Sequence, residues 1–256
     1  MLTANQLLIQ SWDLYKKNAR ILTGYVAWLL LPYAVLILIS TIKNSGVFTD
    51  VIVNICGLAQ SLIGLWLAIF IPKLIYLIFK KEKINLPNLQ QQAWKIIPSV
   101  VWVAILQALA TIGLPTALMV LGLFGVPMAL PLGLILLIPG IFLWVKFAFS
   151  QIAAIIDEKR GRSALVFSLN LVQGKFWPVL WRLIFGPLIF GLGGFVLSGL
   201  IIVLIALATG TSFDTIISET PPLWADVITT VVEIFILPLF MIYTTLLYLN
   251  VKKVDS

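Results

Sequence analysis

A catalytic chain needs side chains that carry protons, hold metals or attack electrophiles, and this one of 256 residues supplies few. It has no histidine and a single cysteine, Cys56. The commonest general base and the commonest metal ligand are thus missing together. An internal disulfide is excluded, and a metal cage of thiolates is not expected. Asp157 and Glu158 form an acidic pair that could share acid–base work. Lys159 and Arg160 follow at once, however, and that pattern is expected of a solvated helix exit. Gly191, Leu192, Gly193 and Gly194 sit in an apolar stretch with no Lys or Asp beside them, unlike a phosphate loop. No catalytic residue, metal site or cofactor is expected, and the chain reads as a non-enzyme.

Three charges interrupt otherwise apolar stretches: Lys73, Lys146 and Glu233. Ionisable residues inside a membrane span are candidates for function. Each stands toward one edge of its stretch, so the favoured reading is an anchor that snorkels to the nearer surface. A role in a water-filled cleft is the other reading. Lys73 and Glu233 fall at opposite edges, which argues against a direct ion pair. Pro72, Pro139 and Pro238 each free a backbone carbonyl and could open a shared cavity. Bending of helices in a packed bundle is the favoured account of them.

The elements that carry these residues follow from composition. Hydrophobic residues make up 61% of the chain and charged ones 11%, and the mean hydropathy is +1.09. Ordinary globular chains hold about a quarter charged residues, so the solvent for this chain is lipid. Residues 96–145 contain no Asp, Glu, Lys or Arg. One helix of that length would run roughly 75 Å against a hydrocarbon core of about 30 Å, so the stretch must fold back on itself. Gly122, Gly125 and Pro127 mark the turn, placed at 121–126. Further spans are expected near 21–42, 51–72, 178–208 and 228–251. Amphipathic surface helices precede three of the spans. The first presents Leu7, Leu8, Trp12, Leu14 and Tyr15 on one face and Gln6, Gln10, Asp13, Lys16 and Lys17 on the other. The second covers 89–95, behind Pro87, and the third 163–173, stopped by Gly174. The expected fold class is all-α: a polytopic membrane protein of six transmembrane helices, paired as three hairpins, in a single domain spanning 1–256. Nine tryptophans, most of them near the expected span ends, fit that plan.

Short loops rich in Lys and Arg stay cytoplasmic. Fourteen of the seventeen basic residues fall on one side of this layout, Lys73 and Lys146 can snorkel to it, and only Lys43 lies opposite. Both termini are therefore expected inside. That face holds five acids, Asp13, Glu82, Asp157, Glu158 and Asp255, leaving a clear positive surplus. Anionic lipids are the expected partners, with Lys80, Lys81, Lys83, Arg160, Arg162 and Lys175 as candidate headgroup contacts. A protein partner or a second copy is also open. Nucleic acid is not expected.

The layout repeats approximately over 3–83, 86–160 and 163–253, each unit a surface helix, an outward span and a returning span with a proline. These features, together with residues 168–177 (SLNLVQGKFW), residues 155–161 (IIDEKRG) and the tail from Pro238 with Tyr243 and Tyr248, carry a resemblance. The chain resembles the six-span bacterial membrane domain found fused to, or named after, glycerophosphoryl diester phosphodiesterases. The resemblance implies a bacterial cytoplasmic (inner) membrane protein. The phosphodiesterase is a separate soluble barrel built on His and acidic metal ligands, so its activity does not carry over. The expected function is a non-catalytic scaffold or accessory protein that contacts lipids or partner proteins. A transporter or channel for a small solute or lipid is the alternative, for which Gln60, Ser61, Gln107, Thr111, Thr244 and Thr245 are the polar residues on offer.

Overall fold

The computed structural model describes residues 1–40, 46–212, 215, 216, 218 and 222–253. Lys43, Ser45, Asp214, Glu219 and Asp255, which entered the reading of charge and loops, lie outside the described residues. Among the described residues the regular elements are helices, with no strand. Six stretches are long and apolar enough to cross a bilayer: Ala4–Ile39, Val47–Lys80, Leu86–Leu123, Ala129–Ile156, Phe176–Thr209 and Leu223–Lys253. Only 11% of the most apolar window of Phe176–Thr209 is buried inside the protein, so lipid must solvate the rest. The chain is an all-α, multi-pass membrane protein.

Helix α1 spans Ala4–Val26 and leaves helical geometry at Asn18 (φ −118°, ψ 15°). There the side-chain amide donates to the carbonyl of Leu14 at 2.9 Å, a local bond that competes with the helix ladder. The break divides the amphipathic front segment from the apolar part that follows. A 3₁₀ turn, Ala27–Leu29, leads into α2, Leu30–Ser40. Helix α3 covers Val47–Lys80. It ends at Lys81, whose φ of 57° lies in the left-handed region, with Glu82 N–H donating to the carbonyl of Leu77 at 3.1 Å in the manner of a Schellman cap.

Helix α4, Leu86–Ala108, starts as expected. The Asn85 side chain accepts from the N–H of Asn88 at 3.2 Å, and Pro87 occupies the first turn. The surface helix expected at 89–95 does not stand apart, because α4 continues through Lys95 and Pro98. No glycine interrupts 86–108, and one proline removes a single ladder bond without stopping the helix. A π-turn, Leu109–Gly113, then leads to α5, Leu114–Leu123. Pro115 has no N–H to offer the carbonyl of Thr111, four residues back. That carbonyl lies instead against Gly140 of α6, so closely that a Cβ there would overlap it.

After residues 124–128, where Gly125 takes φ 94°, α6 runs Ala129–Lys146. It packs along α5: an added Cβ at Gly122 would fall 2.7 Å from the Leu130 Cβ, and one at Gly133 would fall 2.8 Å from the Pro115 carbonyl. Small residues here let two backbones approach. Helix α7, Ser150–Ile156, follows a short break, then α8, Arg162–Val172. The stop expected at Gly174 is made there, at φ 73°. Helices α9, Phe176–Thr209, and α10, Leu223–Lys253, complete the chain.

The chain divides into two compact units. The first comprises Met1–Thr3, Pro72–Leu183 and the chain from Thr245 onward; the second comprises Ala4–Ile71 and Ile184–Thr244. In the first, Leu2 N–H donates to the Asn250 side chain at 2.8 Å, and Arg182 Nε donates to the Leu2 carbonyl at 2.9 Å, so the N-terminus ties α9 and α10 together. In the second, Tyr25 packs on Trp66 and Phe70 with ring centroids 5.8 and 4.4 Å away. The Tyr243 ring fills the space where a side chain at Gly186 would stand, and the Ile236 side chain does the same at Gly194.

Candidate functional site

Within the first unit, α7 ends at Ile156 and the next residues turn sharply. Glu158 adopts φ 52° and Gly161 φ 50°. Ser163 holds the turn: its Oγ accepts from Arg160 N–H at 3.1 Å and donates to the Arg160 carbonyl at 2.7 Å. This turn delivers Asp157 to α10, where the Tyr248 hydroxyl and the Lys252 ammonium both donate to its carboxylate. The Asp157 side chain is only 15% exposed. The solvated exit expected for the acidic pair therefore holds for Glu158 alone, whose side chain is 73% exposed and lies 3.9 Å from Lys73 Nζ. Phe149 supports the arrangement, its ring centroid 5.7 Å from that of Tyr248.

The basic candidates distribute around this turn. Arg160 and Lys95 line a cavity of about 500 Å³ with Ser99, Trp102, Glu158 and Gly161. Gly161 lies under the edge of the Trp102 indole, where an added Cβ would be 3.5 Å from the ring nitrogen. Lys80, Lys81, Lys83 and Arg162 are exposed, and Lys175 is half-buried. Lys80 is held over the Tyr76 ring, 4.7 Å from its centroid, and 3.7 Å from Glu82. Of the six expected headgroup contacts, only Arg160 lines this cavity. Lys95, which joins it there, was not among them.

The intramembrane candidates of this unit are both occupied. The Lys73 side chain is 13% exposed and faces Glu158. Lys146 ends α6 with its ammonium 4.4 Å from the Phe142 ring centroid. Its carbonyl accepts from Ser168 Oγ at 2.8 Å, and the same Oγ accepts from Phe149 N–H at 3.1 Å. Ser168 thereby satisfies the break between α6 and α7 from α8. The polar span residues are likewise engaged. Ser150 Oγ donates to Gln107 Oε1 at 2.8 Å, with Gln151 Nε2 at 3.2 Å from the same oxygen. Thr111 donates to the Gln107 carbonyl, Ser61 to that of Gly57 and Thr244 to that of Phe240, all within 2.9 Å.

Glu233 belongs to the second unit. It lines a cleft between α9 and α10 of about 370 Å³, together with Ser198, Thr229 and a set of apolar side chains. Sequence reasoning missed Tyr248 and Lys252 as partners of Asp157, and Ser168 as a bridging group. Ser168 and Tyr248 signal only as polar residues in apolar surroundings, and Lys252 only as one of the basic residues at the chain's end. No family model matches the chain, and comparison with curated proteins and with solved structures finds no match either.

Proposed function

We propose that the protein is a non-catalytic scaffold or accessory protein of the bacterial inner membrane, with both termini cytoplasmic, and that it contacts anionic lipid headgroups through the basic part of its first unit. The cavity lined by Lys95, Arg160, Ser99 and Trp102 carries this reading. Two cations beside a hydroxyl and an amphipathic ring suit a phosphate at the membrane interface. Asp157 is turned away onto Tyr248 and Lys252. Glu158, the one acid that lines the cavity, faces Lys73 at 3.9 Å, which offsets its repulsion of an incoming anion. The orientation rests on the uneven distribution of Lys and Arg along the chain. The resemblance to the six-span domain named after glycerophosphoryl diester phosphodiesterases, with its three repeated hairpins, agrees with the same orientation.

Native mass spectrometry from mixed bilayers tests the lipid contact. Phosphatidylglycerol should be retained over phosphatidylcholine, and Lys95→Gln with Arg160→Gln should remove most of that preference. Equal retention of the two lipids by the unaltered chain would refute it. The alternative, a transporter for a small solute or lipid, draws on one observation, the cleft at Glu233. Against it, the polar residues offered for a midplane path, Gln107, Thr111, Ser61 and Thr244, already bond within the protein.

A further inference from the structure

Glu233 stands ten residues inside α10, about 15 Å along the axis from Leu223. The chain from 183 to 251 contains no Lys or Arg, and its only other acids are Asp214, Glu219 and Asp226. Lys and Arg are absent from α9 beyond Arg182 and from α10 before Lys252. The neighbouring α1 reaches α10 through the Tyr15 hydroxyl on the Phe235 carbonyl. Its cations make no ion pair with Glu233: Lys16 pairs with Asp13, and Lys17 and Arg20 do not meet it. Among the described residues it makes no ion pair and no hydrogen bond. The Glu233 side chain is exposed in its cleft, toward one edge of its span, and a cation supplied from outside would give it the counter-charge its own helices lack.

The surroundings of the carboxylate select the kind of cation. Phe190, Phe195 and Phe240 line the same cleft as Glu233. Phe190 and Phe240 meet edge to face at 5.9 Å, while Phe195 is 76% exposed. Phenyl faces attract organic cations, and quaternary ammonium groups are the usual guests of such cages. Gly194 and Ser198 keep the α9 wall low, and Ser198 Oγ is turned to the Phe195 carbonyl at 3.1 Å. The cleft volume is near the lower end of the range for small-molecule sites.

We propose that this cleft binds a hydrophobic organic cation, an ammonium or phosphonium bearing alkyl or aryl groups, with Glu233 as its counter-charge and the three phenyl rings as its walls. A phospholipid headgroup is a poorer fit. Its phosphate would be set beside the Glu233 carboxylate, where like charges repel. The cation site stands or falls separately from the anionic-lipid contact of the first unit, since the two share no residue.

Equilibrium dialysis of tetraphenylphosphonium against the full chain in phosphatidylcholine nanodiscs tests the inference. Saturable binding of one probe per chain is expected, above that of empty discs. Glu233→Gln should weaken it at least about tenfold, as loss of a charged partner does. Phe195→Leu removes an exposed ring, so it should leave folding intact while weakening binding in the same direction. Tetraphenylborate, of the same shape and opposite charge, should not bind saturably. Unchanged affinity in either variant, saturable borate binding of equal strength, or displacement of the probe by short-chain phosphatidylcholine would overturn the assignment.

Discussion

At Asp157 a carboxylate within a run of four charged residues ends between a phenol and an ammonium. Its neighbour Glu158 meets only Lys73 across 3.9 Å and stays in solvent. The two acids should therefore differ sharply in their effect on stability. Asp157→Ala strands the hydroxyl of the buried Tyr248, while the more exposed Lys252 can turn to solvent, and the expected loss is about 1–3 kcal/mol. Glu158→Ala should cost less than about 1 kcal/mol, as for other exposed pairs. Unfolding midpoints of the purified variants in detergent check both, and equal shifts would contradict the partnering of Asp157. Neither carboxylate is expected to support catalysis. The purified protein should turn over no glycerophosphodiester with or without divalent metal, and turnover abolished by Asp157→Asn would reverse that expectation.

At the scale of elements, glycines do opposite things in similar apolar helices. Gly140 lies against the Thr111 carbonyl that Pro115 leaves without its helical donor, whereas nothing stands within 4 Å of a Cβ added at Gly193. Gly140→Ala must push one backbone off another, and destabilisation of about 1–3 kcal/mol is expected. Gly193→Ala should be neutral or stabilise by up to about 1 kcal/mol, the difference in helix propensity. Thermal unfolding of the pair decides; a harmless Gly140→Ala would mean that α5 and α6 do not pack as described. The elements also show where local signals mislead. Nothing in Lys95 or Pro98 told that α4 would run unbroken from a segment expected at the membrane surface into a span, because one lost ladder bond is too small to end a helix with good neighbours on both sides. Gly174 was a reliable stop, since only its left-handed backbone closes α8 as it does.

For the whole molecule the testable quantity is orientation. In a Cys56-free background, cysteines at Phe124, Ser218 and Ser45 (the last outside the described residues) should react with an impermeant reagent applied to intact cells. Cysteines at Asn88 and Ser163 should react only after the membrane is opened. Reaction of Asn88 from outside would reverse the proposed topology. Replacing Lys80, Lys81 and Lys83 together by Gln should lower retention of anionic lipid without altering that labelling pattern. Residues near an anionic leaflet contribute roughly 1 kcal/mol each, while orientation depends on all the basic loops together.

What the sequence by itself determined is the solvent and the class of fold. Hydropathy is additive along a chain and a bilayer has a set thickness, so charge-free stretches of the right length specify membrane helices without knowledge of their neighbours. It also marked the residues of interest, Lys73, Lys146, Glu233 and the basic set, because charge in apolar surroundings is visible locally. Only the tertiary structure decided what each of them meets. Asp157 meets Tyr248 across 91 positions, Ser168 reaches back 22 to Lys146, and Glu233 stands among phenyl rings with no cation. Helices in lipid pack by shape and by occasional polar contacts rather than by a hydrophobic stripe, so sequence periodicity records little about which faces touch.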